Sequence, residues 1–99
     1  SLTVEIPTNS DVIGAPLVMR TKQFKQGTPF ERVFPAICQV ASLDPATAWL
    51  GYKWDNDAKS APVLELATAV DWDNCMKSGF GQMQRARKRH VMCIIHNLV

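Results

Sequence analysis

Apolar and polar residues alternate through Leu2-Thr3-Val4-Glu5-Ile6, the period of two that turns one side of a strand to a core and the other to water. Pro7 and Thr8-Asn9-Ser10-Asp11 predict a turn, and Val12 to Gly14 fall in the connection. Leu17–Phe24 predicts a second strand, with Val18, Arg20 and Lys22 on one face and Leu17, Met19 and Thr21 on the other. Two strands so close in sequence predict an antiparallel hairpin. The period then changes. Phe30, Val33, Phe34, Ile37, Val40 and Ala41 recur at helical spacing and predict a buried stripe. Thr28 is the expected N-cap of that helix, Pro29 its first residue and Glu31 the partner in a capping box. Pro35 inside the run predicts a kink, or a short first turn with the helix reset near Phe34.

The stretch Thr47–Asp73 organises the rest of the chain. An aromatic run, Ala48–Trp54, predicts a third strand. In a regular strand two of Trp49, Tyr52 and Trp54 are expected to point outward, unless the run is buried on both sides. Asp55-Asn56-Asp57 predicts an acidic turn, and Val63-Leu64-Glu65-Leu66 a short fourth strand. A second helix is expected to start between Thr68 and Asp73, capped by Thr68 or Asp71, with Asp71 and Asp73 at the positive end of its dipole. Trp72, Cys75, Met76, Phe80 and Met83 supply its apolar side, while Gly79 and Gly81 are expected to weaken its middle. The basic run Arg85–Arg89 closes it, and Val91–Ile95 predicts a β-branched last strand. The predicted order is β-β-α-β-β-α-β, an α+β chain with a mixed sheet and a helix packed on one face. That order is the β-grasp.

Composition adds constraints. A chain of 99 residues, 46% hydrophobic and 20% charged, fits one globular domain with a modest core. No apolar run reaches the length of a membrane helix, so no membrane partner is expected. The start at Ser1 and the end on an apolar run suggest a domain excised from a longer protein. Three widely spaced cysteines predict reduced thiols in an intracellular setting, cytoplasmic or nuclear, instead of a disulfide framework. Net charge is only +2, which argues against a general nucleic-acid binder, but the charges are unevenly distributed.

At Tyr52-Lys53-Trp54-Asp55-Asn56-Asp57 the chain resembles ubiquitin-like β-grasp domains of the Phox-and-Bem interaction type. Val63–Leu66 is similar to the strand after that family's acidic loop, and Asp71-Trp72 to its acidic helix start. The element order covers nearly the whole chain and the motif about a quarter of it. The chain departs from the family at Ala58-Lys59, where a glycine and further acidic residues are usual, and at Glu5, where the family's first strand carries a lysine. The resemblance implies a module that pairs an acidic face with a basic one.

Asp55, Asp57, Asp71 and Asp73 are the candidate acidic docking residues. Arg20 and Lys22, or Arg85, Arg87, Lys88 and Arg89, are the candidate basic ones. Charge complementarity of this kind sets association rate and register. The simpler reading of the same residues is a solvated turn, helix caps and dipole-matched helix ends. His90, Cys93 and His96 do not converge on one side of a strand, so no metal is expected, and no cofactor motif is present. Phosphate loops and nucleophile–base arrangements are absent too, which argues against an enzyme. The sequence therefore points to a non-catalytic protein–protein interaction or self-assembly module, whose partner is a protein or another copy of the domain. The alternative is a nucleic-acid-associated domain that binds phosphate through Arg85–Arg89 in a salt-sensitive way.

Overall fold

The computed structural model describes residues 1–85 and 91–99. The described chain runs β1 (Leu2–Pro7), β2 (Met19–Phe24), α1 (Phe30–Ala41), β3 (Leu50–Trp54), β4 (Leu64–Glu65), α2 (Ala69–Arg85) and β5 (Met92–Asn97). It is an α+β architecture of one five-stranded mixed sheet and two helices, with strand order β2-β1-β5-β3-β4. β1 pairs antiparallel with β2 and parallel with β5, and β3 pairs antiparallel with both β5 and β4.

The alternation in β1 holds in space. Leu2, Val4 and Ile6 are fully buried, and opposite them on the same face lie Cys93 and Ile95 of β5 and Tyr52 and Trp54 of β3. Both helices contact β1. They close this face with Val33, Ile37, Cys38 and Ala41 from α1 and Trp72, Cys75 and Met76 from α2. Tyr52 and Trp54, two residues apart, both point into this core, so the expectation that two of the three aromatics face outward is corrected. Trp49 alone is half exposed, and its Nε1–H donates to Glu65 Oε2 at 2.7 Å.

Elements begin and end where polar atoms find other partners. β2 starts at Met19, not Leu17, because the Val18 backbone is already engaged. Its carbonyl accepts Thr8 N–H and Thr8 Oγ1–H at 2.8 and 2.9 Å, and its N–H donates to Asn9 Oδ1. As an edge strand, β2 buries only Phe24. Pro29, in extended conformation, is the N-cap of α1, and no side chain caps it; Thr28 Oγ1 donates to Lys25 O at 2.7 Å instead. The expected Thr28 capping box is thus corrected. α1 also runs unbroken past Pro35, which is exposed and sits where the missing N–H would have bonded the exposed Glu31, so water can reach the orphaned carbonyl. Ser42, at φ 59°, ends the helix in the left-handed conformation, with Leu43 N–H bonded to Cys38 O at 2.9 Å.

Candidate functional site

Asp55-Asn56-Asp57 leaves β3 as a turn whose polar side chains are bound to the fold. Asp57 Oδ2 accepts the Trp54 N–H at 3.0 Å while Asp57 N–H donates to Trp54 O at 3.0 Å. Asp55 Oδ1 accepts the Met92 N–H at 3.0 Å and Asp55 N–H returns a bond to Met92 O, which ties the turn to the start of β5. Asn56 Nδ2 donates to Gln82 Oε1 at 3.0 Å, anchoring the turn to the far end of α2. Lys53 donates to the carbonyls of Ala58 and Lys59 at 3.2 and 3.1 Å, so the stretch that breaks the acidic run is held by a cation from the preceding strand. Asp55 and Asp57 are exposed, and each presents a second carboxylate oxygen to solvent.

Asp71 belongs to a different place. Thr68 Oγ1 accepts the Asp71 N–H at 3.2 Å, and Asp71 Oδ2 accepts the N–H groups of Thr68 and Ala67 at 3.1 and 2.8 Å. This is a reciprocal capping box, in which both residues named as alternative caps take part. Such a cap contributes roughly 1 kcal/mol. Asp73 is exposed beside Gly27, Thr28, Met76 and Lys77. Because Asn56 reaches Gln82, eleven residues after Asp71 on α2, the two acidic pairs are separated by about 16 Å along the helix. The structure keeps Asp55 and Asp57 in one turn, but it does not join the four: Asp71 and Asp73, two apart on α2, do not face each other.

Arg20 and Lys22 lie on the edge strand β2, opposite Ile6 and Val4. Those partners face the core, so both cations lean to the helical side, over a cleft lined also by Thr8, Gln39 and Ser42. No carboxylate lines that cleft, and both residues are exposed. Lys22 is in register with Trp54 through Val4 and Cys93, so the cations and the acidic turn that follows Trp54 are three strands apart, roughly 14 Å at the usual strand spacing. The cations stand on the β2 edge, while the acidic turn leaves the sheet at the end of β3, beside the start of β5. Arg85, at the end of α2, is exposed and shares a cleft of about 590 Å³ with Asn56, Asp57 and Gln82. Its charge is thus close to the acidic turn. Arg87, Lys88, Arg89 and His90 lie outside the described residues.

Three thiols are buried. Cys75 Sγ and Cys93 Sγ are 3.7 Å apart between α2 and β5. Contact with Cys75, and then burial, pushes the Cys93 thiol well up, and burial with the nearby Asp44 charge raises Cys38. Both therefore stay protonated at neutral pH and lack the thiolate character of a nucleophile. Burial, reinforced by the Cys75 and Cys93 thiols, raises the Tyr52 phenol strongly. Burial and Lys53 lower His96. Among the described residues no His, Cys, Asp or Glu cluster has the arrangement of a metal site. No described helix is long and apolar enough to cross a membrane.

The raised groups predict an alkaline limit. The folded state holds the Cys93, Cys38 and Tyr52 protons more tightly than the unfolded chain does. Their contribution is complete below the unfolded pKa values, near 8.5 for Cys and about 10 for Tyr, and is lost as pH rises beyond them. The thermal midpoint, followed by circular dichroism, is expected to fall as pH rises above about 9. Cys93→Ala and Tyr52→Phe are expected to make that fall shallower. A midpoint that is flat across this range contradicts the burial of these groups.

No family model, curated protein or solved structure matches the chain. Its own surfaces are therefore what bears on function. Sequence reasoning passed over one of these surfaces. Val12, Ile13, Leu17 and Val18 are all more than half exposed, although Val12 and Ile13 lie in a segment read as a mere connection and Leu17 and Val18 in the predicted second strand. The available signal was an aliphatic-rich run, VIGAPLV, without the alternation of a half-buried strand.

Proposed function

We propose that the chain is a β-grasp interaction domain, similar to the Phox-and-Bem type, that assembles head to tail with another copy or docks a protein of like chemistry. The acidic turn at Asp55 and Asp57 is one contact face, and Arg20 and Lys22 on β2 are the other. The β-grasp assignment is supported by the sheet order β2-β1-β5-β3-β4, with β1 and β5 parallel at its centre and both helices packed against β1. The observation that carries the function is the separation of the two charged sets by three strands of one sheet. Separate faces that complement each other make a heterologous contact, which repeats from copy to copy. The cations face a cleft free of carboxylates, so they keep their charge for a partner.

Asp71 and Asp73 sit at the other end of α2, outside this pair of faces; Asp71 caps the helix, and Asp73 is exposed.

The test must separate charge from structure, because Asp55 and Asp57 accept backbone hydrogen bonds. Asparagine keeps an acceptor oxygen and removes the charge. Light scattering at low salt is expected to show a mass that rises with protein concentration and falls as salt is added. D55N/D57N and R20E/K22E are each expected to be monomeric alone. Mixed, they are expected to form a one-to-one pair, since one retains the basic face and the other the acidic face. A wild-type chain that stays monomeric at millimolar concentration and low salt, or a mixture that does not pair, overturns self-assembly through these faces.

A further inference from the structure

The end of the sheet at the β1–β2 turn offers a surface of different chemistry. Asn9 closes this turn from within: its Nδ2 donates to Pro16 O at 2.7 Å and its Oδ1 accepts the Val18 N–H at 2.9 Å. Asn97 Nδ2 donates to Ser10 Oγ at 3.0 Å and joins the turn to the end of β5. With the polar atoms turned inward, the aliphatic side chains are turned out. Ile13 is 101% exposed, Leu17 62%, Val12 54% and Val18 53%. A turn held in shape by its own hydrogen bonds while it keeps four aliphatic side chains in water marks an interaction surface.

Ile13 stands on the wall of a groove of about 440 Å³, a volume in the range of ligand-binding clefts. Leu43 and Ala48, from the connection between α1 and β3, form further apolar parts of its wall. Among the described residues, the charged side chains that line it are both carboxylates, Asp11 and Asp44, with no cation. Asp44 is held in place by the Ala46 N–H, which it accepts at 2.9 Å.

We propose that this groove receives a segment of a partner protein in which an aliphatic side chain is flanked by Lys or Arg. The aliphatic anchor packs against Ile13, Leu43 and Ala48, and the flanking cations meet Asp11 and Asp44. Charge complementarity selects this occupant over the same groove of a second copy. Two such grooves brought face to face would set each Asp11 and Asp44 against the same carboxylates of the other copy, which is repulsive. The groove shares no lining residue with the cleft of Arg20 and Lys22, although Val18 borders that cleft, and none with the acidic turn, so it does not depend on head-to-tail assembly.

Selection of phage-displayed random dodecapeptides on the immobilised whole chain tests the proposal. Enriched sequences are expected to combine Leu, Ile or Val with neighbouring Lys or Arg. A synthetic peptide of the enriched sequence, followed by fluorescence anisotropy, is expected to bind about tenfold more weakly to Ile13→Asp, which removes an aliphatic contact. D11N/D44N is expected to weaken it roughly threefold to fivefold at low salt, with the difference fading at high salt. Because Ile13 is fully exposed, the thermal midpoint of Ile13→Asp should match the wild type, which separates a lost contact from a lost fold. Enrichment of acidic or uncharged sequences, no enrichment at all, or equal binding to Ile13→Asp overturns the proposal. So does self-association of the wild type that Ile13→Asp abolishes, since the occupant would then be another copy.

Discussion

Trp72→Ala is expected to lower stability by about 3–5 kcal/mol, because it empties the site of the largest fully buried side chain in the described core. The side chain is 1% exposed at the start of α2 and meets two separate parts of the fold. Its ring packs edge-on against Phe24 of β2, with centroids 5.8 Å apart at 80°. Its Nε1–H donates to Thr28 O at 2.9 Å, in the loop that leads into α1. Alanine removes the ring, leaves a cavity and strands a carbonyl whose lost partner costs a further 1 kcal/mol or so. A domain of this size has only about 5–15 kcal/mol in total, so the variant stands near the edge of folding. Its thermal midpoint is expected to fall by roughly 12 °C or more. Trp72→Phe retains an aromatic contact while it loses the donor and part of the ring's volume, and should fall between the two. If the alanine variant melts within a few degrees of the wild type, Trp72 is not the buried joint that its contacts imply.

Gly79→Ala and Gly81→Ala are expected to shift stability in opposite directions, although both replace a glycine in the same helix. Helix propensity alone favours alanine at each by about 1 kcal/mol. At Gly79 a Cβ would stand 2.7 Å from Trp54 Cη2 and 2.9 Å from Leu2 Cδ1, where α2 presses on the sheet. Both neighbours are buried and have little room to retreat, so overpacking of about 1–3 kcal/mol outweighs the propensity gain. At Gly81 a Cβ would meet nothing within 4 Å, and the propensity gain remains. Urea denaturation of the two variants is expected to move the midpoint down for Gly79→Ala and up for Gly81→Ala. Equal shifts would mean that α2 does not approach Trp54 so closely. The expectation that both glycines merely weaken the helix leaves out the close approach at Gly79, where the missing side chain lets α2 reach the sheet.

The hydrogen bonds of the acidic residues also change how charge variants must be read. Lysine at Asp55 or Asp57 removes a backbone acceptor as well as reversing a charge, so loss of association in such a variant is ambiguous. Asparagine variants avoid this, and they carry the test of head-to-tail pairing. Arg85 complicates that pairing, because it shares a cleft with Asp57 and lowers the net negative potential there. A charge-neutral Arg85→Gln variant is useful as a control for that contribution.

Much of the local structure could be read from the chain. The stripe Val33, Ile37 and Ala41 is the buried face of α1, and Trp72, Cys75 and Met76 are that of α2, because a side chain's face follows from helical periodicity alone. Thr68 and Asp71 cap α2 because a cap is decided by residues within one turn. The Thr28 cap failed for an equally local reason, since its hydroxyl found Lys25 O first.

Periodicity and local spacing therefore determined the kind, number and inner faces of the elements, together with the stretch Thr47–Asp73 as a strand, acidic turn, strand and helix start. Only the tertiary structure decided which groups meet. It separated Asp55 and Asp57 from Asp71 and Asp73, used Asp55 to hold the start of a strand 37 positions later, and set Gly79 against Trp54. It also placed Arg20 and Lys22 three strands from the acidic turn, and left Ile13 in solvent beside a carboxylate-rimmed groove. The physical reason is the range of the forces involved. Backbone sterics and side-chain period act within a few residues and leave their mark on the sequence. Sheet order, by contrast, is settled by burial of apolar surface between segments far apart in the chain, and no spacing along the chain encodes the neighbours that result.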